Sequence, residues 1–134
     1  MFILVILYLG LCSASIVVSQ RIEFLLSHFL SKNSVITNEV VLSEYKSTVR
    51  KCMHLTLAQI GIIIAGLCVC IGFIWYRGFS GAFAITLLGG ALGFGQEAAK
   101  LEEKAKTLDC ANNDLDKEYK KICNVWGKKP LPDF

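Results

Sequence analysis

Three stretches of the chain carry no Asp, Glu, Lys or Arg: residues 1–20, 52–76 and 78–96. Each approaches or exceeds the roughly 20 apolar residues that cross a hydrocarbon core about 30 Å thick. A polar segment, 21–51, separates the first from the second, and a charged segment, 97–134, follows the third. The pattern predicts an all-α integral membrane protein. Its transmembrane helices occupy 1–20, 52–76 and 78–96, with a helical connecting segment over 21–51 and a short helical tail over 97–134. Only Arg77 separates the last two spans, so they are expected to fold back on each other as an antiparallel hairpin.

The hairpin is rich in glycine, and its small residues recur at helical spacing. Gly61, Ala65, Cys68 and Gly72 fall on one side of the second span, and Ala82, Thr86, Gly89 and Gly93 repeat the arrangement in the third. In lipid, helices gain little from the hydrophobic effect and associate through close backbone approach, which small residues permit. The two stripes are therefore the expected helix-packing surfaces.

The opening run, MFILVILYLGLCSASIVVSQ, lacks the basic flank of a secretory signal and has a longer apolar stretch, which favours a first span. Beyond it, Ile22, Leu25, Leu26 and Phe29 share a helical face. Thr37 or Asn38 then offers a cap to a helix in which Val41, Tyr45 and Val49 line one side. In the tail, Asn113 is the expected cap of a last helix that Gly127 ends. Leu115, Tyr119, Ile122 and Trp126 form its apolar side and are expected to dock on a partner or on the rest of the chain. A segment of this size is too small to hold a core alone.

Charge sets the expected orientation. With three spans and an outer N-terminus, all the basic residues except Arg77 fall on the inner side, as the positive-inside rule favours. The tail is then cytoplasmic, stromal or matrix-facing, and a bacterial inner, thylakoid or organellar inner membrane would each suit it. The net charge of +3 is too modest to indicate a nucleic-acid partner.

Chemistry is sparse. Six cysteines are present, without a CxxC pair or zinc-site spacing. A disulfide between Cys110 and Cys123 in the tail is sterically allowed by their spacing but disfavoured on a reducing side of the membrane. His28 and His54 are the two candidate ligands for haem or a chlorophyll magnesium; the ordinary reading of each is a hydrated interfacial histidine. Gln59, strongly polar within the second span, is expected to bond across helices. No catalytic motif is present, so the expectation is a protein that is not an enzyme. The expected role is a small membrane subunit that packs by its smooth helix faces into a larger membrane protein complex, in contact with the lipid bilayer. A self-associating, holin-like pore and a pigment- or haem-binding accessory subunit are the alternatives.

Overall fold

The computed structural model describes residues 2–78, 85, 89, 90, 93 and 95–134. Two long helices dominate it, α1 (Phe2–Lys32) and α2 (Glu39–Arg77), with the two-residue strand β1 (Val35–Ile36) between them. Later in the chain come α3 (Gln96–Ala105), strand β2 (Asp109–Cys110) and α4 (Asn113–Lys128).

α1 and α2 lie antiparallel along most of their length. Tyr8 meets Phe73, Ser15 meets Gln59, Phe29 meets Tyr45, and Lys32 meets Glu44, so positions that rise along one helix fall along the other. The contact follows a spacing of four and three. On α1 it runs through Tyr8, Cys12, Ser15, Ser19, Ile22, Leu26 and Phe29, all buried or half-buried. On α2 it takes in Leu42, Tyr45, Val49 and Cys52, then Gln59, Ile63, Gly66, Cys70 and Phe73. A repeat averaging 3.5 residues keeps one face turned to a neighbouring helix, as in a coiled coil. Near the middle the seam is polar: Ser15 is fully buried, and Gln59 Nε2 donates to its Oγ at 2.6 Å. Gln59 therefore does bond across helices, as its position in an apolar stretch suggested.

The turn between the long helices is closed by local chemistry. Asn38 is the N-cap of α2, in extended conformation, and its side chain accepts from the Val41 amide at 2.9 Å. Lys32 reaches Glu44 at 3.0 Å across the turn. β1 pairs in parallel with β2, Val35 opposite Asp109 and Ile36 opposite Cys110. Ala111 N extends the ladder by donating to Ile36 O at 3.0 Å. This small sheet ties the α1–α2 turn to the α3–α4 connection, and Ile36 is wholly buried beneath it.

Around that tie sits the main core. Leu26 and Phe29 of α1, Leu42, Tyr45, Val49, Cys52 and Met53 of α2, Ala105 of α3, and Tyr119, Ile122 and Trp126 of α4 form one buried cluster with Ile36. A second, smaller cluster joins Tyr8 and Cys70 towards the far end of the helix pair.

Several expectations are corrected here. The predicted all-α, three-span membrane fold is not the architecture found. A parallel sheet, a buried aromatic cluster and hydrogen bonds between residues far apart in sequence organise the chain as a globular unit at one end of the helix pair. Among the described residues the long hairpin is α1 with α2; the predicted one joined 52–76 to 78–96, and most of that second arm lies outside the described residues. Helix α1 runs unbroken across position 20 and α2 across position 51, so the polar stretches continue the apolar ones as the same rods. The Phe2–Lys32 and Glu39–Tyr76 helices are long and apolar enough to cross a membrane by length and composition, and their most apolar windows are only 17% and 11% buried. Charge-free length reports composition, and composition does not specify which elements pack together. The membrane placement, with its outer N-terminus and inner tail, was built on the three spans and falls with them.

Smaller differences concern helix ends. The last helix is capped at Asn112, without a side-chain cap bond, and it runs past Gly127 to Lys128.

Candidate functional site

Tyr45 is the centre of the packed base. It is 1% exposed, and its ring lies 5.5 Å from Phe29, 5.2 Å from Tyr119 and 6.3 Å from Trp126. Edge and tilted ring contacts of this kind add to simple area burial. Its hydroxyl donates to Ala105 O at 3.0 Å and lies 3.3 Å from Cys123 Sγ.

Tyr119 approaches the same carbonyl from α4. Its hydroxyl donates to Ala105 O at 2.9 Å and accepts from the Leu108 amide at 2.9 Å. The last carbonyls of a helix have no partner within it. Two tyrosines, one from α2 and one from α4, thus satisfy the end of α3 and join three elements at one oxygen. Burial raises both tyrosine hydroxyls above their ordinary value, with further contributions from the neighbouring thiol. The Cys52 thiol is pushed up to about 12 by burial and by the nearby Glu102 carboxylate. These groups are protonated at neutral pH. They serve as donors and packing surface, and none is poised to act as a nucleophile or base.

The rim of the base is polar. Lys106 bonds Glu102 at 2.5 Å and lies 4.9 Å from the centre of the Trp126 ring. Phe134 packs between Lys46 and Arg50, and Arg50 Nη2 donates to Phe134 O at 2.6 Å. Glu39, Leu42, Ser43, Lys46, Glu118, Lys121, Ile122 and Phe134 line an open groove of about 480 Å³ between α2 and α4.

The residues singled out from sequence are distributed as follows. Tyr119, Ile122 and Trp126 are buried and Leu115 half-buried against the chain's own core, so of the two supports expected for this surface, a partner or the rest of the chain, it rests on the second. Gly61 and Cys68 are exposed and Ala65 and Gly72 half-buried, off the seam with α1. A methyl group built on Gly61 or Gly72 meets nothing within 4 Å, and the same holds at Gly89 and Gly93. Ala82 and Thr86 lie outside the described residues. His28 is exposed and stacks on Phe24, with ring centres 6.0 Å apart. His54 is exposed elsewhere on α2. Cys110 and Cys123 are both half-buried free thiols packed against the main core. Among the described residues, no group of three His, Cys, Asp or Glu is arranged to hold a metal ion.

The expected role as a membrane-embedded accessory subunit is corrected by this packing, and so are its alternatives as a holin-like pore or a pigment-binding subunit. The base closes on itself through the aromatic cluster, the Lys32–Glu44 pair and the shared Ala105 carbonyl. Partnership with a larger membrane complex rested on smooth helix faces, charge-free spans and a tail helix too small to stand alone. The tail is supported from within the chain, and the first two apolar stretches pair with each other.

One surface was missed from sequence. Ile60, Ile64, Leu67, Ile71 and Ile74 form a second row on α2, beside the seam that faces α1, and all five are classed as exposed hydrophobics. Their spacing of four, three, four and three was the available signal; the small residues interleaved with them drew attention instead. No family model, curated protein or solved structure matches the chain.

Proposed function

We propose that this chain is a non-catalytic interaction protein, in which the packed base fixes the geometry of a helix pair whose outer apolar face is offered to a protein partner. The observation that carries this reading is the contrast between the two ends. At the base the apolar faces of α1, α2 and α4 close on one another. Along the far half of α2 an ordered apolar row has no cover among the described residues. Contiguous exposed apolar patches of several hundred Å² mark interaction sites more often than they arise by chance. The protonated Tyr45 and Tyr119 hydroxyls, both hydrogen-bonded to Ala105 O, support a structural use of the base.

The test is native-state fractionation of extracts of cells that express the chain. The expected result is migration in a protein complex, lost on Ile64→Lys, while the near-ultraviolet signal of the Tyr45–Trp126 cluster is retained. Migration as a free monomer that the substitution leaves unchanged would end the reading.

A further inference from the structure

We draw no further inference here: the strongest candidate, the exposed apolar row of Ile60, Ile64, Leu67, Ile71 and Ile74 along the far half of α2, carries nothing because the charge-free outer face of α1 would suit it as well as a second α2 and nothing among the described residues shows what covers it.

Discussion

At Tyr45 one side chain does three jobs: its ring fills the base, its hydroxyl terminates α3, and that hydroxyl also meets a thiol of α4. Tyr45→Phe keeps the ring and leaves Ala105 O with Tyr119 as its remaining side-chain donor. The expected loss is about 1–2 kcal/mol in denaturant unfolding, the scale of one buried hydrogen bond. Tyr45→Ala also opens a cavity among the rings of Phe29, Tyr119 and Trp126 and should cost about 3–5 kcal/mol. The pH dependence follows from the raised hydroxyls of Tyr45 and Tyr119. An acid whose folded value lies above its unfolded one contributes stability that is complete below the unfolded value, about 10 for tyrosine, and is lost as pH rises beyond it. The base should therefore unfold in alkali from about pH 10 upward, and Tyr119→Phe should flatten that dependence. A stability profile that declines equally in both proteins would count against the assignment.

Among the elements, the α1–α2 seam matters most. Its apolar part could slide by a heptad with little change in burial. The buried Ser15–Gln59 bond is made in one register only. A single polar pair in an apolar seam is the best attested use of buried polarity, fixing alignment at some cost in stability. Gln59 Oε1 is itself buried without a hydrogen-bond partner among the described residues, which is where that cost is visible. Replacing both groups, Ser15→Ala with Gln59→Leu, should hold or raise the melting temperature while broadening the amide spectrum through mixed registers. Ser15→Ala alone strands the Gln59 amide and should cost about 1–3 kcal/mol. At the start of α2, Asn38→Ala removes the acceptor for the Val41 amide, with an expected loss of about 1 kcal/mol by thermal unfolding. The cap was legible in the sequence because asparagine before an apolar-periodic run has a local reason to stand there. The β1–β2 pair was not legible: two residues carry no periodicity, and their partners lie over seventy positions away.

For the whole molecule, order is concentrated at one end. The base joins α1, α2, α3, α4 and both strands, whereas the far half of the pair is held by the seam and by the small Tyr8–Cys70 cluster. Opening free energy follows local packing. Hydrogen exchange should therefore show the slowest amides near Leu26, Tyr45, Val49 and Ile122, and faster exchange in α1 before Tyr8 and in α2 after Cys70. The reverse gradient would contradict the description of the base as the stable unit. What the sequence by itself determined was local: two long apolar helical stretches, the Asn38 cap, and the apolar side of α4 with Tyr119, Ile122 and Trp126 at its centre. Each follows from propensity, capping chemistry or a repeat read over neighbouring residues. Tertiary structure alone decided that α1 pairs with α2, that the apolar side of α4 is covered from within, and that the smooth stripe of Gly61 and Gly72 lies off that pairing. Those outcomes depend on which surfaces meet. Charge-free length and small-residue spacing constrain what a helix can touch, and the choice among partners is made by the summed burial of residues far apart in the chain.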